Sequence, residues 1–463
     1  MAFSSAGFLF AFLPVMLVLN SALRSTRARN ALLVAGSLVF YAFGSVAALP
    51  VLLASAAAQY AAGLLIGRYR NARRWIAGAA ISLDLCLLAA VKYADSLLGT
   101  VSLLSFLSRQ PGGPPVLPGV SFFTFQAISY IADVCREPER RGRSFLRVLE
   151  YLTFFPVLLS GPLTRFSDVS RQFECREVTA DRSAAGIRRF ALGLAKKLLL
   201  AGAASTAADA VFALGNAELD VRTAWLGALA YTLQIYFDFS GYSDMAIGLG
   251  AMFGFSVPEN FRAPFCASSV TDFWRRWHMT LSGWFRDYVY IPLGGNRKGR
   301  LRTVLNKLAV FLLTGLWHGA SWTFLLWGLW HGVLVSAETL IPASRLRGRW
   351  YGRAGAMLAV VLGFVMFRSG SVAQGLAMLR AMAAGFRLTG AGTLLLTHLP
   401  YRDLALLALG AVCAAEPFGA LKKKLAAAPA AGPIGMVLTL ALLIVCAAVI
   451  ASGSFQPFIY SQF

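Results

Sequence analysis

Apolar blocks separated by short polar, mostly basic, joints run along the chain from end to end. They cover roughly 7–23, 31–47, 49–67, 75–91, 97–107, 148–163, 203–214, 223–254, 303–318, 320–340, 354–369, 401–416 and 434–452. A further helix from about 184 carries Arg188, Arg189, Lys196 and Lys197. An apolar helix of about 18 residues or more crosses the hydrocarbon layer of about 30 Å, and in lipid every backbone polar group must be paired internally. The pattern therefore predicts an all-α, polytopic integral membrane bundle of about 10 to 12 spans. Solid apolar blocks exclude a membrane β-barrel, whose strands alternate residue by residue. The stretch from Val120 to Val134 is aromatic and apolar but only about 15 residues long, which suits a buried or re-entrant helix better than a full span. Pro111 to Pro118 and Ala426 to Pro433 read as loops. Neither an internal repeat nor a soluble segment interrupts the series, so residues 1–463 read as a single membrane domain.

Composition sharpens this picture. The chain is 57% hydrophobic and 14% charged, against about a quarter charged for a soluble protein. The net charge of +22 would fit nucleic-acid binding if it formed one face, but it is dispersed in short clusters between apolar blocks. These are Arg24–Arg29, Arg68–Arg74, Arg136–Arg143, Arg297–Arg302, Arg345–Arg353 and Lys422–Lys424. Short basic loops are what the positive-inside rule expects at the cytoplasmic face, so no nucleic-acid partner is expected and membrane lipid is. The Arg24 cluster then puts the N-terminus outside. Residues 1–23 lack a basic leader and a small-residue cleavage pattern, so they read as a retained first span. Six scattered cysteines show no metal-ligand spacing and imply no disulfide framework.

Candidate chemistry concentrates between residues 231 and 332. The apolar block YTLQIYFDFSGYSDMAIGLG (231–250) carries Gln234, Asp238 and Asp244. A carboxylate in a span is costly unless paired or wet, which marks a functional site or an ion pair that fixes the bundle. Next, TDFWRRWHMTLSGWFRDYVYIPLGGNRKGR (271–300) combines amphipathic aromatics with Arg275, Arg276, Arg286 and His278. Guanidinium forks match phosphates bidentately; a helix anchored along the inner leaflet would look the same. Then TGLWHGASWTFLLWGLWHG (314–332) sets His318 and His331 among tryptophans and glycines, so three of the four histidines fall in one stretch. Gly315 and Gly319 flank Trp317-His318 and permit close approach of another backbone or a substrate. A buried imidazole there can take a proton from an attacking hydroxyl. On a straight helix His331 would lie nearly 20 Å along the axis from His318, so it reads as structural. His398 reads as a loop residue. Asp84, eight residues before Lys92 in an apolar span, receives no role.

These blocks, together with FSSAGFLFAFLP (3–14), GVSFFTFQAISYIADV (119–134), FFPVLLSGPLTRF (154–166) and SFQPFIYSQF (454–463), resemble the membrane-bound O-acyltransferase family. They look most like its bacterial branch, which contains the alginate O-acetyltransferase membrane subunit and the D-alanyl transferase of teichoic acids. The resemblance implies re-entrant helices around a central tunnel in the bacterial inner membrane. It maps the central catalytic histidine to His318 and the second characteristic histidine to His278, with Asp238, Gln234, Arg276 and Trp317 as substrate-binding candidates and no metal. It further implies a cytosolic thioester donor, acetyl-CoA or a carrier-protein thioester, with no bound cofactor. The acceptor would be a hydroxyl of an exported polysaccharide, or of a periplasmic esterase-like partner protein. Transfer of D-alanine to a cell-wall polymer stays open within the family. Outside it, a proton-coupled transporter using His278 and His318 as a relay stays open.

Overall fold

Gly186 and Gly193 face Gly248 and Gly241 across a close helix crossing. A Cβ at any of the four would come within 2.5–2.6 Å of the opposing backbone oxygen. Small residues at such a crossing let two backbones touch, which is how helices associate where lipid removes the hydrophobic drive. The computed structural model describes residues 1–97, 117–142, 144–340, 349–415 and 431–453, and among these the regular structure is helical throughout. In chain order the first helices are α1 (Phe8–Ala22), α2 (Thr26–Ala42), α3 (Val46–Arg68) and α4 (Arg73–Leu97). They continue as α5 (Val120–Arg136), α6 (Phe145–Thr153), α7 (Phe155–Leu158), α8 (Phe166–Glu174) and α9 (Ala180–Phe212). The glycine crossing joins α9 to α10 (Val221–Met252), whose residues are all buried from Gln234 to Ala246.

Two short helices follow, α11 (Val270–Trp274) and α12 (Met279–Phe285). Beyond them lie α13 (Gly299–His318), α14 (Trp322–Ala337), α15 (Trp350–Arg368), α16 (Val372–Ala384), α17 (Gly390–His398), α18 (Tyr401–Ala415) and α19 (Ala431–Ala451). Five helices among the described residues are long and apolar enough to cross a membrane, including α3, α9, α15 and most of α4 and α19. The molecule is thus a multi-pass helical membrane protein. α10, with 32 residues, is longer than all of these except α9, yet Gln234, Asp238, Asp244 and its hydroxyl residues dilute its apolar character. α19 faces outward almost entirely, presenting Ile434, Val437, Leu438 and Ile444 as a lipid-facing surface.

Most predicted blocks coincide with helices, with three differences. The block at 148–163 is broken: the chain leaves α6 at Phe154 and restarts with Pro156 in the first turn of α7, where a missing N–H costs nothing. The helix from about 184 and the block at 203–214 are one helix, α9, continuous through a π turn at Lys196–Ala201. α16 and α17 were not foreseen, and His398 ends α17, exposed, instead of lying in a loop. Most of the block at 97–107 and the loops at 111–118 and 426–433, part of the Arg345 cluster, the Lys422–Lys424 cluster and the SFQPFIYSQF terminus fall wholly or largely outside the described residues.

Candidate functional site

His318 is the last residue of α13, and Gly319 ends the helix. Both flanking glycines are required by packing: a Cβ at Gly315 would lie 2.5 Å from the Phe324 carbonyl oxygen, and one at Gly319 would lie 2.8 Å from the Phe324 ring. The close approach is therefore made by α14, which folds back along α13. His318 is 3% exposed and is boxed by the rings of Trp317 (4.7 Å), Phe367 (4.9 Å), Trp327 (5.2 Å) and Phe324 (6.1 Å).

The reversal at Gly319 corrects the straight-helix distance to His331. Trp327 stands between the two imidazoles, 5.3 Å from His331 as well as 5.2 Å from His318. His331 itself accepts at Nδ1 from Trp274 Nε1 (3.4 Å), tying α14 to α11.

His278 reaches the same neighbourhood from a different part of the chain. It adopts a left-handed conformation (φ 45°) between α11 and α12, an uncommon backbone for a residue with a side chain and one that a site can hold in place. Its ring lies 6.5 Å from the Trp317 ring, so Trp317 adjoins both histidines. Asn260, fully buried, organises this corner. Its Oδ1 accepts from the Thr280 N–H (3.2 Å) and hydroxyl (2.9 Å), and its Nδ2 donates to Ser243 Oγ (3.2 Å). With Oδ1 thus identified as an acceptor, the 3.2 Å contact to His278 Nδ1 is an Nδ1–H donation, and the neutral ring carries its lone pair on Nε2. Asn260 was missed at the sequence level because it sits in an irregular segment with no motif around it.

The other candidates occupy different surroundings. Asp238 and Lys197 form an ion pair at 2.5 Å, with side chains 6% and 5% exposed. One turn away, Gln234 Nε2 donates to Ser205 Oγ (2.9 Å), which leads to Asp209 (2.8 Å) and Arg368 (2.6 Å). These two residues lie on the seam between α10 and α9. Asp244 is held by Arg189 and Lys196, each at 2.6 Å. Arg276 pairs with Asp272 (3.0 Å) one turn back. Trp277 and Trp284 are core residues at 2% and 7% exposure.

From Trp317 an aromatic ladder leads away from the histidines. Trp317 stacks on Phe125 (5.5 Å, 20°), Phe125 on Trp284 (4.1 Å, 8°), and Trp284 contacts Tyr288 (5.3 Å). The guanidinium groups of Arg136 and Arg165 lie over Tyr288 at 5.2 and 5.5 Å, and with Arg140, Asp133 and Asp287 they line a cleft of about 510 Å³. Burial opposes ionisation of Asp287, but bonds from Arg286 (2.6 Å) and Arg165 outweigh it and hold the carboxyl below its ordinary range. Among the described residues no cluster of His, Cys, Asp and Glu is arranged to hold a metal ion.

Comparison with known proteins gives concordant findings. The family model for membrane-bound O-acyltransferases matches residues 48–351. The chain is 43% identical over 384 residues to a probable alginate O-acetylase of Pseudomonas syringae pv. tomato, covering 80% of this chain and 72% of the relative. It is 37% identical over 358 residues to a peptidoglycan O-acetyltransferase of Helicobacter pylori (69% and 67%). Over 281 residues it is 30% identical to a teichoic acid D-alanyltransferase of Bacillus subtilis (56% and 70%).

Proposed function

The chain belongs to the membrane-bound O-acyltransferase family, and from that premise we propose that it moves an acetyl group from cytosolic acetyl-CoA across the bacterial inner membrane to a hydroxyl of an exported polysaccharide. The observation that carries the reading is the aromatic box around His318, joined through Trp317 to His278 and by stacked rings to an arginine-lined cleft. Arg136 and Arg165 suit the donor's phosphates. From Phe125, beside Trp317, to Arg136 is eleven residues of α5, about 16 Å at 1.5 Å per residue, a distance for a long thioester arm reaching into a central tunnel.

In this reading His318 accepts the proton of the acceptor hydroxyl as its oxygen attacks the thioester carbonyl. The tetrahedral intermediate collapses with cleavage of the C–S bond. The imidazolium returns the proton to the departing thiolate, so the products are the ester and free coenzyme A. His278, with its lone pair directed to Nε2 by Asn260, orients the substrate groups on the other side of Trp317. Higher identity to O-acetyl transferases than to the D-alanyl enzyme supports acetyl as the group moved. The acceptor is delivered on the far side of the membrane, directly or through a periplasmic esterase-like partner.

The test is His318→Ala in a strain deleted for the gene, with ester-bound acetate measured on the secreted polysaccharide. We expect no acetate above the deletion background while the variant remains in the membrane at normal amount. Near-normal acetylation would reject His318 as the base.

A further inference from the structure

We propose that Lys92 is a positioning residue for His318. The proposal deepens the reading just given and rests on His318 being the reacting imidazole.

Lys92 lies near the end of α4, within an apolar span, where a cation is costly and is retained for a purpose. Its Nζ donates to the carbonyl oxygen of Trp317 and stands 5.3 Å from the Trp317 ring. The next residue, Tyr93, donates its hydroxyl to the carbonyl oxygen of Leu316. These are carbonyls of the last turn of α13, which have no N–H of a following turn because the helix stops at His318. That end also carries the negative pole of the helix dipole, which favours a cation.

The geometry is specific to His318. The Trp317 carbonyl belongs to the peptide unit whose nitrogen is that of His318, so a bond to this oxygen fixes the plane from which the imidazole projects. The same ammonium bears on the indole that touches both histidines. Asp84, on the same helix two turns earlier, accepts instead from Gln59 Nε2 (2.8 Å). The cation thus serves the carbonyl and the ring, and it holds the imidazole in line with the path of the reactants.

The experiment uses full-length chain in membrane vesicles from the deletion strain, radiolabelled acetyl-CoA as probe, and label on the vesicle-held polymer as readout, normalised to chain present. Lys92→Met should lower kcat at least about tenfold with KM for acetyl-CoA within about threefold, since displacing a catalytic group by a fraction of an ångström slows the chemical step. Lys92→Arg, which keeps the charge and the donor, should recover to within about fivefold of the unsubstituted chain. Lys92→Gln is read in parallel, so the test stands even if the Met variant fails to accumulate. A kcat within threefold for either accumulated variant, a loss confined to KM, or no rescue by arginine would overturn the assignment. His318→Ala separates the two ideas: if it is inactive and Lys92→Met is normal, only the positioning role falls, whereas an active His318→Ala removes the reading beneath it.

Discussion

Lys197→Met removes the ammonium 2.5 Å from Asp238 while keeping a side chain of similar length. With both side chains about nine-tenths or more buried, the carboxylate loses its cation where water cannot replace it. Breaking a buried pair from one side costs about 3–5 kcal/mol, a large share of the roughly 5–15 kcal/mol that holds a folded protein together. At about 1.4 kcal/mol per factor of ten, the folded-to-unfolded ratio falls at least about a hundredfold. Lys196→Met is the internal control: Lys196 bonds Asp244 at 2.6 Å but is 31% exposed, and Arg189 also serves that carboxylate. Its loss should cost about 1 kcal/mol or less. The double variant Lys197→Met with Asp238→Leu replaces the pair by apolar groups and should recover most of the stability, because desolvation of two ions is removed together with their attraction. The assay is unfolding of the purified chain in detergent, followed by intrinsic fluorescence, combined with acetyl transfer by each variant that folds. Equal losses for the two lysine variants, or a double variant as unstable as the sum of its singles, would refute the argument. If the recovered double variant also transfers acetyl groups, Asp238 braces α9 against α10 and does not bind substrate.

Two further outcomes follow from local geometry. Asn260→Ala releases the Nδ1–H bond of His278 and two bonds to Thr280; transfer should fall about 10- to 100-fold, the usual effect of losing a partner that orients an imidazole, and unchanged initial rates in vesicles would count against a role for the His278 tautomer. Asp220 caps α10; burial opposes its ionisation, but bonds from Arg222 and from the N–H groups of Thr223 and Thr389 prevail and hold its carboxyl well below the ordinary value. A depressed folded-state pKa stabilises the fold above the unfolded value near 3.9 and loses that contribution as pH falls below it, so the melting-temperature gap between the native chain and Asp220→Asn should be constant from pH 7 to about 4 and close below, and a gap that closes already near pH 6 would contradict the cause given.

Helix identity was legible in the sequence where it depends on a local fact, the length of an apolar run, whereas the break at Phe154 that restarts the chain at Pro156 was not. The membrane location was legible too, since burial in lipid requires nothing from the rest of the chain. The clustering of His278, His318 and their tryptophans in one stretch was equally visible and marks the candidate site. The end of α13 was legible in the boundary between the blocks 303–318 and 320–340, but how closely α14 folds back along it was not. Only the fit of Phe324 against Gly315 and Gly319 decides the close return that sets Trp327 between two histidines. The partners of the buried charges were equally hidden. Lys197 lies 41 residues from Asp238, and Lys92 lies 225 residues from Trp317. Nothing local distinguishes such a lysine from one that snorkels to the membrane surface. Which carbonyl or carboxylate a charge meets is chosen by how distant helices cross, because desolvation makes each charge intolerant of any packing that leaves it without a counterpart.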